Sequence, residues 1–399
     1  MSKDSSKKTV YGLAIFGGLP LFNAPKPTSN LVRPDREHFF RYLHRAHAQN
    51  EEGLVEELER RLAAMHHVQH CVTTNSGFWG LALLIDALIL PRRREVILPS
   101  LTYRRMADIV AWIGCIPHFC DIERHTLANS ARTVSPCIND NIALIIGVHP
   151  VGGHCDIDGL TSLASETGIP LIFDSVESVH EMHKGKRIGS FGDAELFSLG
   201  ASKLVNGFEG GYITTNNTEL AEVLRQKRSG LGPGLTLSVP LTETHAAMAL
   251  SGLNDLLEQL ERNRARFNRY KDELVDLPEL RLIEQNFDTG PSHKNIVIEV
   301  LDDWPFTRDQ TIQLLNAENI LARAYYAPPL TQKKMNYVSV VGELANTDWV
   351  AERFISMPCG HLVSLGDIGK IVSFLRTIRG IAEKIIEAMN IHATEDSSG

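Results

Sequence analysis

Residues 171–211 read LIFDSVESVHEMHKGKRIGSFGDAELFSLGASKLVNGFEGG. The apolar run Leu171-Ile172-Phe173 ends in a carboxylate, Asp174. Such a run predicts a strand buried on both faces, and open α/β sheets bind ligands at the carboxyl ends of their strands. A second apolar patch, Ala194 to Leu199, leads into Gly200-Ala201-Ser202-Lys203. Small residues flank this lysine, and Asn206-Gly207 and Gly210-Gly211 follow, a setting for an amine held in a tight turn at the floor of a site. An amine that can form a Schiff base, paired with a carboxylate that can keep a pyridine nitrogen protonated, is what pyridoxal phosphate chemistry requires. Taken alone, an Asp at a strand end is as readily a turn or helix cap, and a lysine is more often a solvated surface charge.

The ordered set Asp174, Glu177, Gly189-Ser190-Phe191-Gly192-Asp193, Phe197-Ser198, Lys203 and Glu209-Gly210-Gly211 resembles the DegT/StrS-type (DegT/DnrJ/EryC/StrS) sugar aminotransferases. That resemblance implies an α/β fold of fold type I, with a large, mostly parallel seven-stranded-type sheet domain and a smaller C-terminal α+β domain. It implies pyridoxal 5'-phosphate on Lys203, with Asp174 at the ring nitrogen and Ser198 at the phosphate. Glu177 stands where relatives often have Gln beside the ring hydroxyl.

Outward from this core, strand-like and helix-like runs alternate. Helical spacing over 52–65 is followed by short strands at 71–74, 95–98, 116–120, 142–148 and 212–215, with a helix over 220–228. That alternation predicts a mostly parallel sheet. Asn75-Ser76-Gly77 opens a long apolar helix over 78–90, so its first-turn amides suit a phosphate, although an ordinary N-cap reads the same way. Relatives have Ser-Gly-Thr-Ala here, whereas this chain has Ser76, Gly77, Phe78 and Trp79, which keep the amides, lose a hydroxyl and add bulk.

After Pro99-Ser100-Leu101-Thr102, the resemblance places Tyr103 over the cofactor ring. Arg104 and Arg105 follow where relatives carry small or apolar residues. They either grip a substrate anion or lie on the wet face of a helix. His149, His154, Cys155 and Asp156 fit no closed zinc site, so no metal is expected. The His-x-x-Gly turn of the family puts His149 near the cofactor. Ser238 aligns with a family Asn that reaches the phosphate in the partner subunit. Tyr325 and Tyr326 belong to a motif near the mouth of the site.

The residue pattern suggests an arm over 1–50, the large domain over 51–250, the small domain over 251–390 and a tail over 391–399. A net charge of −8 gives no reason to expect nucleic acid or an anionic membrane as partner. The six cysteines form no CxxC pair and read as reduced, buried thiols of a cytoplasmic protein. No apolar leader precedes the arm, and Leu81 to Leu90 is too short to span a bilayer.

The resemblance further implies a homodimer with its site shared across the interface. It implies an amino-acid donor, usually L-glutamate, and a nucleotide-linked keto-sugar acceptor in antibiotic or cell-surface sugar biosynthesis. Three alternatives stay open. One is a non-sugar carbonyl substrate in natural-product biosynthesis, and another is a cofactor-binding regulator without turnover. The third is sugar dehydration, where relatives often replace the lysine by His; Lys203 is present here.

Overall fold

A computed structural model of the chain describes residues 10–29, 35–46, 52–151, 154–235, 237–284 and 291–396, with side chains to residue 390. The terminal segments Met1 to Lys8 and 397–399, parts of the expected arm, and Gly152-Gly153 of the His149 turn lie outside the described residues.

The apolar runs of the sequence become the strands β1 (His70–Thr74), β2 (Glu95–Pro99), β3 (Ile116–Cys120), β4 (Ile142–Val148), β5 (Leu171–Asp174), β6 (Ala194–Ser198) and β7 (Gly211–Thr215). They lie in the order β3-β2-β4-β5-β6-β7-β1, and the short strand Val340–Val341 joins the β3 edge as an eighth member. Pairing is parallel from Val340–Val341 through β6, while β7 runs antiparallel to both β6 and β1. Every residue of β4, β5 and β7 is buried, as strands covered on both faces must be.

Helices Leu54–His66, Gly77–Leu88, Met106–Trp112, Ile157–Thr167 and Thr218–Arg228 cover the two faces of this sheet. The helical pattern after residue 242 breaks at Asp255 into Glu243–Asn254 and Leu256–Glu273. A second core follows, built on the antiparallel sheet Leu280–Leu282, Ile296–Val300, Phe354–Met357 and Arg323–Ala324. Its centre holds Phe267, Tyr270, Ile298, Leu315 and Leu375.

The described part of the N-terminal arm packs on this second core of its own chain. Val10, Leu13 and Phe22 enter it, and Lys26–Pro27 pairs in parallel with Ile320–Leu321. The buried Glu318 carboxylate accepts the amides of Ala14 (2.9 Å) and Leu21 (2.7 Å), which pins the arm there. Helix Ala382–Asp396 carries the backbone past residue 391, where the sequence suggested a tail. All six cysteines are buried and unpaired. Among the described residues no helix is long and apolar enough to cross a membrane.

Candidate active site

The carboxyl ends of β1, β2, β4, β5 and β6 converge on one cavity of about 630 Å³. Ser76, Gly77, Phe78, Trp79, Tyr103, Arg105, His149, Asp174, Glu177, Ser198, Lys203 and Tyr326 all line it. Arg104, Ser238 and Tyr325 do not. Arg104 is exposed, and its carbonyl accepts the Lys333 ammonium. Ser238 is exposed and bridges to Ser229. Tyr325 is buried behind the wall, its ring edge-on to Tyr326 at 4.9 Å.

Asp174 closes β5, where its backbone is locked to β4 and β6. Burial pushes its carboxyl up to about 6; the Val176 amide and Lys203 pull the other way, and Glu177 adds to the rise. An ionised carboxylate at this depth therefore calls for a cationic partner.

Glu177, three residues on, has the opposite fate. Its Oε1 accepts the Lys203 ammonium at 2.5 Å, and its Oε2 accepts Lys294 at 2.7 Å and Asn295 at 2.9 Å. Burial works against the charge, but the two lysines hold Glu177 well below the usual carboxylate range.

Ser76 caps helix Gly77–Leu88, its hydroxyl accepting the Trp79 amide at 3.3 Å. The first turn of this helix faces the cavity beside Ser198. A glycine is required where β7 begins: a Cβ on Gly211 would stand 2.6 Å from both Cα and N of Gly77. Backbone on backbone at that contact brings the helix start down against the floor.

His149 stacks on Phe173 at 5.4 Å and accepts the Cys155 amide at Nδ1 (3.3 Å), which leaves Nε2 as the protonated nitrogen. Burial lowers its value to about 3, so the ring is neutral. Nε2 is itself buried with no hydrogen-bond partner among the described residues, on a ring that lines the cavity. Asp156 caps helix Ile157–Thr167 through the Gly159 amide (3.0 Å). This part of the supposed metal-ligand cluster is thus spent on local structure.

The mouth is aromatic. Trp79 sits edge-on between Phe78 (4.8 Å) and Trp112 (4.9 Å), and the Arg105 guanidinium lies 4.6 Å from the Phe78 ring centre. Trp112, Lys294 and Asn295 were not singled out by sequence. Trp112 ends a short helix and reads as packing, and a lone lysine 117 residues from Glu177 reads as solvated.

The residues fit pyridoxal phosphate. A helix start for the phosphate, an amine, a buried carboxylate lacking a cation, and an orphaned imidazole N–H share one space. At the carboxyl edge of a mostly parallel sheet, that set defines a pyridoxal phosphate enzyme of fold type I.

Comparison with known proteins makes the assignment specific. A model of the DegT/DnrJ/EryC1/StrS aminotransferase family matches residues 41–376. The crystal structure of DesI in the presence of its TDP-sugar product is 30% identical, with a TM-score of 0.89 over 96% of this chain and 100% of that one. Helicobacter pylori PseC, an aminotransferase involved in the biosynthesis of pseudoaminic acid, is 20% identical, with a TM-score of 0.80 over 89% of this chain and 100% of its own. The Escherichia coli GDP-4-keto-6-deoxy-D-mannose-3-dehydratase with bound hydrated PLP shares the fold at 19% identity and a TM-score of 0.77, over 89% of this chain and 100% of that one. This chain belongs to the DegT/DnrJ/EryC1/StrS aminotransferase family and is a pyridoxal-phosphate-dependent aminotransferase.

Proposed function

We propose that the protein moves an amino group from an amino acid, with L-glutamate as the expected donor, to a keto-sugar carried on a nucleotide. The observation that carries this reading is the composition of this cavity. A lysine and a buried carboxylate share its floor, and a mouth of Tyr103, Phe78, Trp79, Trp112 and Arg105 stands above them. Aromatic faces and a guanidinium suit a planar base and a phosphate. Similarity to DesI, whose structure was determined with a TDP-sugar product, supports the nucleotide-linked acceptor.

When bound, pyridoxal phosphate supplies an aldehyde for the amine and a ring that accepts the electron pair released at the donor α-carbon. Asp174 would hold the proton on the ring nitrogen, because a buried carboxylate lacking an ion-pair partner favours a cationic ring beside it. Lys203 Nζ would bind the cofactor and, once free, would carry the proton taken from the donor α-carbon. Ser76 to Trp79 and Ser198 would hold the phosphate. His149 Nε2–H and Tyr103 would fix the plane of the ring. The homodimer is the one the family implies, and Ser238, which lies outside its own cavity, stands where relatives carry the Asn that reaches the partner's phosphate.

The test begins with the visible absorbance of the loaded protein. Addition of L-glutamate should bleach it, a nucleotide-linked keto-sugar should restore it, and an aminated sugar should form in matching amount. Restoration by keto acids alone, with no keto-sugar active, would overturn the acceptor class. Light scattering should give twice 44.3 kDa for the dimer.

A further inference from the structure

The Glu177 carboxylate joins two lysines from different parts of the chain. Lys203 comes from the turn after β6, and Lys294 enters at the start of strand Ile296–Val300 in the second core. The side chains of Glu177 and Lys294 are each 10% exposed, so this is a buried pairing and not a surface one. Its geometry is fixed from several sides. Asn295 donates to the same Oε2 that Lys294 occupies. The Lys294 carbonyl accepts the Cys359 thiol at 3.0 Å, and the Ser292 amide donates to Glu181 at 3.1 Å. Lys294 does not line the cavity; it stands behind Glu177.

Two ammonium groups thus share one carboxylate, and only one of them faces the cofactor space. The other titratable groups near this cluster are Asp174, Glu181, Tyr325, Tyr326 and Cys359. Burial pushes both tyrosines and the thiol up, so they are uncharged at neutral pH. Burial also lowers Lys294, with the Glu177 charge opposing that shift. Among the described residues, the two lysines are the cations paired with Glu177.

We propose that Lys294 is a positioning residue of the cofactor site: it holds Glu177 as a carboxylate beside Lys203 and thereby sets the pH at which Lys203 takes up the cofactor. The proposal rests on Lys203 being the cofactor-binding amine. Uptake needs that amine neutral, its ammonium proton passing to water. The amine then condenses with the aldehyde, forming one C=N bond and releasing one water. While Lys294 is present, Glu177 keeps a counter-cation after Lys203 becomes engaged, and the carboxylate is never left buried and unpaired. Without Lys294, Glu177 has Lys203 alone, and engaging Lys203 would leave the carboxylate buried with no counter-cation.

The experiment follows visible absorbance against pH as pyridoxal phosphate is added to full-length wild type, Lys294→Met, Lys294→Arg and Glu177→Gln. Borohydride reduction and peptide mass spectrometry then locate the attached cofactor. Lys294→Met should move the uptake midpoint up by about one pH unit or more, the usual effect of one close charge. Lys294→Arg should stay near wild type, and Glu177→Gln should move the midpoint down. Opposite displacements separate this role from general damage to the fold. If Lys294→Met proves insoluble, the Arg and Gln variants still decide. The proposal fails if Lys294→Met and Glu177→Gln leave the midpoint unchanged or move it in one direction, or if Lys294→Arg departs as far as Met. A label found on Lys294, or no label in wild type, would instead sink the Lys203 assignment beneath it.

Discussion

Glu181 offers a stability measurement with a defined sign. It ends the same segment that carries Glu177, and it is 1% exposed. Its Oε1 accepts the Ser292 amide, while Oε2 is buried without a partner among the described residues. Burial pushes its carboxyl up to about 8 from 4.5; the Ser292 amide opposes the rise and the Glu177 charge adds to it. A carboxyl whose folded value exceeds its unfolded one keeps its proton in the fold, so it costs stability as pH rises from 4.5 to about 8. Between pH 5 and pH 7 that cost grows by a few kcal/mol, on the order of 1.4 kcal/mol per pH unit. Glu181→Gln cannot ionise and escapes it. The new amide leaves an unpartnered N–H group, a penalty of about 1–3 kcal/mol that is the same at every pH. With an unfolding entropy of about 2.1 cal/mol/K per residue, 399 residues give about 0.8 kcal/mol/K. The Tm of the variant relative to wild type should therefore climb by about 3 °C from pH 5 to pH 7. The assay is calorimetry of the cofactor-free proteins at both pH values. A Tm difference that is flat with pH, or that falls, would refute a buried protonated Glu181.

Asp174→Asn keeps the shape of the site but cannot carry the charge that holds a ring proton. Turnover should drop about 100-fold or more while the visible band survives, measured by kcat beside absorbance. Gly211→Ala forces a methyl to 2.6 Å from the Gly77 backbone. It should cost about 1–3 kcal/mol and speed loss of cofactor on dialysis, because the helix start must shift. Burial lowers His66 to about 4 and His149 to about 3. The stability these neutral rings carry is complete above 6.5 and lost as pH falls toward 4 and 3. Urea midpoints should fall as pH drops below about 6.5, less so for His66→Gln.

The strands were legible because the sheet is covered on both sides. Runs such as Ile142 to Val148 are apolar throughout and end at Gly, Pro or a polar turn. The floor of the site was legible for a related reason: Asp174 and Ser198 close strands, and Lys203 follows in the next turn. Direction was not legible. Nothing in Tyr212 to Thr215 says that β7 runs against its neighbours, since a buried strand reads the same both ways. The eighth strand, Val340–Val341, is two residues long with Val341 half exposed, so its pairing with His118 and Phe119 comes from tertiary packing alone. The arm gave no sign that it would pair with Ile320–Leu321, because two residues carry no periodicity. Arg105 and Arg104 show the limit most closely: neighbours of one type, one on the cavity wall and one outside it.

Lys294 escaped for a deeper reason, and that reason bears on how the site works. Asp174 and Glu177 lie on one short segment, yet the fold drives them apart, one up to about 6 and the other well below the carboxylate range. Local sequence cannot encode this split, because the cation that completes it comes from the second core. The split has a consequence for orientation. A carboxyl already saturated by two lysines and an amide has little left for a pyridinium, whereas the Asp174 carboxylate accepts, among the described residues, only the Val176 amide at 3.1 Å. Asp174 is therefore the carboxylate that would hold a pyridinium, while Glu177 stays committed to its two lysines.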